Sequence, residues 1–274
     1  MNETNCYYGT AGWSYKDWNG TVYPLQKPKD FNPLLFLAES FDFVEVNTSF
    51  YHIPSLKLTG GWVQKTETVD HFKFWIKVYQ NFTHKQELDK GDIERFKQSL
   101  EPLSKASKLE GLLAQFPYSF KLTRDNFNYV RTLSDIFEEY PLAFEFRHKA
   151  WYHKEVTALF REKGLIWVNI DQPLISQSLP LTAALTHPDT TYVRLHGRNY
   201  ESWFSNAGRD ARYDYDYRAS ELNQISETIK KLAKLAKKIF ISGNNHYKGS
   251  AVKNLKELKK LLSTSPKKEP PEGL

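Results

Sequence analysis

The sequence predicts an α/β fold, a single (β/α)8 TIM-like barrel with a closed parallel sheet and outer helices. Three observations predict it. Eight short β-like runs recur along the chain, helix-like segments separate most of them, and 274 residues suit one such barrel. Strand and helix alternating in this way is the pattern of parallel βαβ units. An open doubly wound sheet is the alternative, but its nucleotide site would need a Gly-rich turn after a strand. The chain contains no GxGxxG, Walker A or HExxH motif.

The runs begin with "CYYGTAGW" at Cys6, "FDFVEVN" at Phe41, "FKFWIKV" at Phe72 and "LEGLLAQF" at Leu109. They continue with "LAFEFR" at Leu142, "LIWVNID" at Leu165, "TTYVRLHGR" at Thr190 and "KIFISGNN" at Lys238. Between them, "PLLFLAES" opens with Pro33, which suits a first helical turn. "DIERFKQSLEPLSKAS" and "TRDNFNYVRTLSDIFEEY" space apolar residues by three and four and open near capping residues. "YDYRASELNQISETIKKLAKLAKK" is the longest helix, and "SAVKNLKELKKLL" closes the series. After strand six, "QPLISQSLPLTAALTHPD" is Pro-rich and predicts a loop or short helix. The barrel is expected over residues 1–262, and the Pro- and charge-rich tail 263–274 is expected to be disordered.

Composition narrows the class. Hydrophobic residues make up 40% of the chain, enough for a sizeable core, and aromatics are high at 15%. One cysteine, Cys6, excludes an intrachain disulfide framework. The N-terminus lacks the basic and apolar regions of a signal peptide, and no apolar run approaches the ~18 residues of a membrane span. A cytoplasmic protein without membrane partners is expected. The net charge of +6 is unevenly placed: residues 230–268 hold 12 lysines against Glu257 alone, leaving the remainder at −5. Such a region is either a nucleic-acid or anionic-surface patch or the solvated faces of surface helices.

The period of two along each strand separates an outward from an inward set. The outward set is Val44 and Val46; Phe74, Ile76 and Val78; Phe144 and Phe146; Val168 and Ile170; Val193 and Leu195. The inward set is Glu45 and Asn47; Lys77; Gln115; Glu145 and Arg147; Asn169 and Asp171; Arg194 and His196; Asn244. Polar groups thus converge on the axis at the C-terminal strand ends, where barrel enzymes place their active sites. A buried charge costs several kcal/mol unless paired, so a ring of them is an expensive core filling. The competing reading is an internal ion-pair network, with Glu145–Arg147 or Lys77–Asp171 as pairs.

As a site, the ring favours an anion. Lys77, Arg147 and Arg194 would hold it, with Asn47, Gln115 and Asn244 as further ligand contacts. Glu145, Asp171, His196 and Glu45 are the candidate proton carriers. One inward histidine among interspersed cations argues against a catalytic metal, and no cofactor is expected. The first loop, "GWSYKDWNGTVYP", offers Trp13 with other aromatics as a stacking wall, and Tyr51 follows strand two. The long loop after strand seven reads as a lid or binding loop, and Gly249–Ser250 before the last helix as a candidate phosphate loop.

With these segments in view, the chain resembles the YecE-like family, domain of unknown function 72. The resemblance rests on "GTAGWSYKDWNGTVYP" (from Gly9), "FVEVNTSFYHIP" (Phe43), "IKVYQNFTH" (Ile76) and "LLAQFPYSF" (Leu112). It continues through "FEFRHKAW" (Phe144), "YVRLHGR" (Tyr192) and "NNHYKGSAVKN" (Asn244). It implies a TIM-like barrel and supplies no activity; likeness of some members to barrel apurinic endonucleases suggests nucleic-acid processing by fold analogy. Two departures stand out: "QFPYSF" where the family usually has two prolines, and His246 where it often has Asp. The expected function is a metal-independent acid–base or hydrolytic enzyme acting on a phosphorylated or otherwise anionic ligand at the barrel mouth. A nucleic-acid-binding or nuclease-like barrel, or a non-catalytic ligand-binding barrel, are the alternatives, and the oligomeric state is left open.

Overall fold

A computed structural model of the chain describes residues 5–203 and 210–263. The expected tail falls outside this range from residue 264, as does part of the loop after strand seven, residues 204–209. The chain runs β1 (Asn5–Ala11), α1 (Pro33–Ala38), β2 (Phe43–Val46), α2 (Thr48–Tyr51), α3 (Leu56–Lys65) and β3 (Lys73–Lys77). It continues α4 (Lys90–Lys105), β4 (Leu109–Gln115), α5 (Arg124–Ile136), β5 (Leu142–Glu145), α6 (Lys154–Glu162) and β6 (Ile166–Asp171). It ends β7 (Thr190–Leu195), α7 (Tyr200–Trp203), α8 (Ala219–Ala233), β8 (Lys238–Gly243) and α9 (Ser250–Ser263). The eight strands pair in sequence order, all parallel, and β8 returns to β1 from Asn5↔Lys238 to Thr10↔Gly243 to close the barrel.

Local chemistry sets the helix starts. Asn32 accepts from the Leu34 N–H ahead of Pro33, Ser55 from Leu58, Asp89 from Asp92 and Thr123 from Asn126. Each side chain satisfies a donor that the first helical turn leaves open. No helix among the described residues is long and apolar enough to cross a membrane.

Inside the barrel, an aromatic layer lies beneath the polar strand ends. Trp75 packs on Tyr192 at 4.8 Å and on Phe240 at 5.3 Å between ring centroids, and Tyr7 stacks on Phe240 at 5.0 Å. Gly111 is needed beside this layer, because a Cβ there would lie 2.6 Å from the Trp75 ring. On the outer face, Phe146 stacks on Trp151 at 4.1 Å, and Phe144 packs on Phe160 at 5.3 Å. This is the helix-facing role expected of the two phenylalanines.

Strand six departs from the expected facing. Partners in a parallel ladder share a face, and Phe144 pairs with Trp167, while Ile170 pairs with the inward Arg194. Val168 and Ile170 therefore point inward, and Asn169 and Asp171 point outward, the reverse of the expected set. The cause is the connection after β6, residues 172–189, which forms a loop without a helix. Its backbone supplies polar partners on the outer side. Asn169 donates to Ala184 O at 3.0 Å, and accepts from Ala184 N at 2.8 Å and the Thr182 hydroxyl at 2.7 Å. An asparagine is acceptable under a loop, where under a helix it would lack partners.

Candidate active site

At the C-terminal end of the barrel, four charged side chains from β2, β5 and β7 interlock. Arg194 of β7 donates Nε to Glu45 Oε2 at 2.9 Å and Nη2 to Glu45 Oε1, forming a fork, while its Nη1 donates to Glu145 Oε2. Tyr192 and Ser242 donate to the same Glu45 oxygen at 3.0 and 3.3 Å. Arg147, just past β5, brings Nε to 2.7 Å from Glu145 Oε1 and donates Nη1 to Gln172 at 3.3 Å. The carboxylates are 0% exposed and Arg194 is 1% exposed. Burial alone would raise the Glu145 pKa, but Arg147 and Arg194 outweigh it and hold the carboxyl well below its ordinary value. Two carboxylates and two guanidiniums close as a neutral set, which limits the desolvation cost.

His196 completes this layer without adding charge. Its Nε2 lies 3.2 Å from Glu145 Oε1, and its Nδ1 lies 2.8 Å from Asn244 Nδ2. The Nδ2 amino group only donates, so the ring is assigned as the neutral Nε2–H tautomer. Burial, reinforced by Arg147 and Arg194, pushes its pKa down to about 3.

Lys77 is the cation this neutral set leaves over. It stands at the end of β3, donates Nζ to Gln115 Oε1 at 2.6 Å, and lies over the Phe50 ring at 4.3 Å. Ser49 fixes this neighbourhood by donating to both Val46 O and Lys77 O, at 2.9 and 2.7 Å, which ties α2 to β3. Lys77 makes no ion pair among the described residues. The side chain is half-buried, yet its ammonium is desolvated, and the Arg194 charge adds to that. Together they lower its pKa to about 7 against partial compensation from Glu45 and Glu145.

Above this layer opens a small polar cleft of about 60 Å³, lined by Tyr15, Asn47, Tyr51, Lys77, Arg194, Tyr213, Asn244 and His246. Asn47 Oδ1 is buried at its edge with no hydrogen-bond partner among the described residues. Tyr15 stacks on His246 at 4.2 Å with the rings 10° apart, and Tyr213 leans on the other side of the mouth at 5.1 Å from His246. His246, one of the two departures from the family pattern, thus supplies an aromatic surface at the rim.

Of the expected site residues, the structure brings Glu45, Asn47, Lys77, Gln115, Glu145, Arg147, Arg194, His196, Asn244 and Tyr51 to one end of the barrel. Asp171 is corrected: it faces outward, where it accepts from Arg198 Nε at 2.9 Å, Arg198 Nη2 at 2.6 Å and the Tyr217 hydroxyl at 2.8 Å. The Lys77–Asp171 pair is accordingly replaced by Lys77–Gln115 and Arg198–Asp171. Trp13 packs edge-on against Trp62 at 5.8 Å beside α3, and Tyr15 takes the place expected for it on the cleft wall. Glu45, Glu145 and His196 face inward as expected but are sealed in hydrogen bonds and ion pairs. In the candidate phosphate loop the Gly249 N–H donates to His246 O at 3.0 Å and the Ser250 N–H to Tyr247 O, next to a Lys248 N–H that donates to Asp17 at 2.6 Å.

Tyr192, Arg198, Tyr213 and Ser242 were not singled out from sequence, whereas Tyr15 belongs to the aromatic wall expected of the first loop and His246 is one of the two departures noted there. Tyr192 and Ser242 share strand parity with Arg194 and Asn244, a signal present in the alternation. Tyr15 and Tyr213 are placed by loops whose paths no periodicity encodes. The lysine-rich segment divides. Lys230 and Lys231 end α8 and Lys238 begins β8, at the barrel end opposite the cleft, whereas Lys248 and Lys253 lie near the start of α9. Several are paired, Lys230 with Glu227, Lys237 with Asp189, Lys238 with Glu110 and Lys253 with Asp216.

Comparison with known proteins converges on one group. The family model described as "Protein of unknown function DUF72" matches residues 7–273. The UPF0759 protein YunF of Bacillus subtilis (strain 168) is 31% identical, the match covering 93% of this chain and 94% of that protein. A crystal structure of a DUF72 family protein from Thermotoga maritima MSB8 superposes with a TM-score of 0.82 at 35% identity, over 94% of this chain and 99% of that one. One from Enterococcus faecalis V583 does so with a TM-score of 0.82 at 27% identity, over 98% and 100%.

Proposed function

The chain belongs to the DUF72 family, and on that premise we propose that it is an enzyme using acid–base or hydrolytic chemistry on a small phosphorylated or otherwise anionic ligand held in the rim cleft. The observation that carries this reading is Lys77, an amine without a carboxylate partner at the wall of a polar cleft, above a charge-balanced network. Arg194 spends three of its five N–H donors on Glu45 and Glu145. Two remain for an anion in the cleft it lines, and an anion there would pair with the surplus charge of Lys77.

The proton-transfer role moves from the carboxylates to the lysine. Glu45, Glu145 and Arg147 act as positioning residues that hold Arg194 and set the field around Lys77, and His196 holds Asn244. Asp171 positions Arg198 on the outer side. Burial and the Arg194 charge lower the Lys77 pKa to about 7, into the range that suits a general acid or base. Asn47, Asn244 and Tyr51 offer polar contacts to the rest of the ligand. The position of Lys230, Lys231 and Lys238 at the far end of the barrel weighs against a nucleic acid running across the mouth.

Crystals soaked in phosphate and calorimetric titration with phosphate and small carboxylates test this reading. An anion within contact of Lys77 and Arg194, with affinity lost in Lys77→Met, supports it. Anion binding unchanged in that variant, or no anion at the rim, overturns it.

A further inference from the structure

We propose that Lys77 is a carbonyl nucleophile whose Nζ condenses with a small 2-oxo acid, the acid's carboxylate held by Arg194. This rests on the reading that the cleft takes an anion, and it names the substrate class and the bond formed. Three features of geometry carry it. First, Lys77 stands where a paired lysine would meet a carboxylate and meets a neutral amide oxygen instead, Gln115 Oε1 at 2.6 Å. An acceptor on one N–H orients the nitrogen, whereas a carboxylate would hold the proton that must leave before attack. Second, the groups facing Lys77 from the neighbouring elements are Arg194 on β7, Arg147 after β5, His84 after β3, the Phe50 ring on α2, and Glu45 and Glu145, whose oxygens are already committed to the guanidiniums. A lysine beside cations and an apolar ring is the setting that exposes its lone pair. Third, Asn47 Oδ1 lines the same cleft, buried and without a hydrogen-bond partner among the described residues, so it can accept from a hydroxyl formed near Nζ.

The step balances without any further reactant. The neutral amine adds to the carbonyl carbon, the carbonyl oxygen takes up the proton lost from nitrogen, and the resulting hydroxyl leaves as water with a second proton. An imine links Nζ to the former carbonyl carbon, and no oxidation occurs. The arrangement also accounts for the small size of the cleft. A two- or three-carbon acid places its carboxylate toward the two unspent Arg194 donors while its carbonyl reaches Lys77.

The test uses the full chain at pH 7 with pyruvate or glyoxylate and sodium cyanoborohydride, which reduces an imine to a stable secondary amine, followed by peptide mapping. Its pKa lowered toward 7 leaves Lys77 with more unprotonated amine at that pH than an ordinary lysine holds. The expected result is one adduct per chain, on the peptide carrying Lys77, forming at least about tenfold faster than on any surface lysine. Loss of that adduct in Lys77→Arg accompanies it. The wild-type map decides the matter alone if the variant does not fold. Adducts scattered over surface lysines with Lys77 unmodified overturn the proposal. Phosphate binding at the rim with no Lys77 adduct overturns it while sparing the anion-binding reading, whereas loss of both overturns the two together.

Discussion

Lys77 and Gln115 meet at 2.6 Å across β3 and β4, an ammonium against an uncharged amide in the layer where Arg194 meets two carboxylates. Lys77 belongs to the same ring of inward polar groups but is left out of its charge balance. The reactivity argued for the cleft depends on that exclusion.

Supplying the missing partner should abolish the exclusion. Gln115→Glu places a carboxylate beside Nζ and should raise the Lys77 titration midpoint by about 1–3 pH units. Labelling of lysines by acetic anhydride as a function of pH measures the midpoint residue by residue. Slower labelling of Lys77 at pH 7, with unchanged labelling of Lys253 on the surface, is the expected outcome.

Removing a carboxylate from the network should cost stability. Glu145→Gln leaves Arg147 and Arg194 short of a partner at a fully buried carboxylate position, and should destabilise the fold by about 3–5 kcal/mol in urea titrations. Glu145 is held below its ordinary pKa in the fold, so its contribution is present above the unfolded carboxyl value and lost as pH falls below it. The loss of stability on acidification should therefore be shallower in the variant than in the wild type.

His196 gives a separate signature at milder pH. Its folded pKa is about 3, below the ordinary 6.5, so the unfolded chain binds more protons between these values and stability rises with pH across that window. The contribution is full above 6.5 and lost as pH falls toward 3. His196→Gln should flatten the wild-type slope between pH 6.5 and 4. An unchanged slope would mean that the ring titrates normally in the fold.

How much of this was legible in the sequence follows from what each element buries. The barrel itself was legible, because eight alternating strands separated by capped amphipathic segments leave few other ways to bury their apolar faces. The inward placement of Glu45, Lys77, Glu145 and Arg194 followed from period two alone. Strand six broke the rule because Ile166, Val168 and Ile170 alternate with Trp167, Asn169 and Asp171, so both faces carry apolar residues and polarity was taken as the guide. The polar face in fact meets a loop that supplies hydrogen bonds, and only the tertiary path of residues 172–189 reveals this. The split between sealed carboxylates and an accessible lysine was equally hidden. It depends on which side chain reaches Arg194 first, a matter of distances around the ring that spacing along the chain does not carry.

A site-resolved titration of the Lys77 amine, by NMR of labelled lysine side chains with Lys77→Arg as the assignment control, tests the account most directly. A midpoint near 7 that moves upward when phosphate is added is the predicted result. A midpoint near 10.5, indifferent to phosphate, would contradict it.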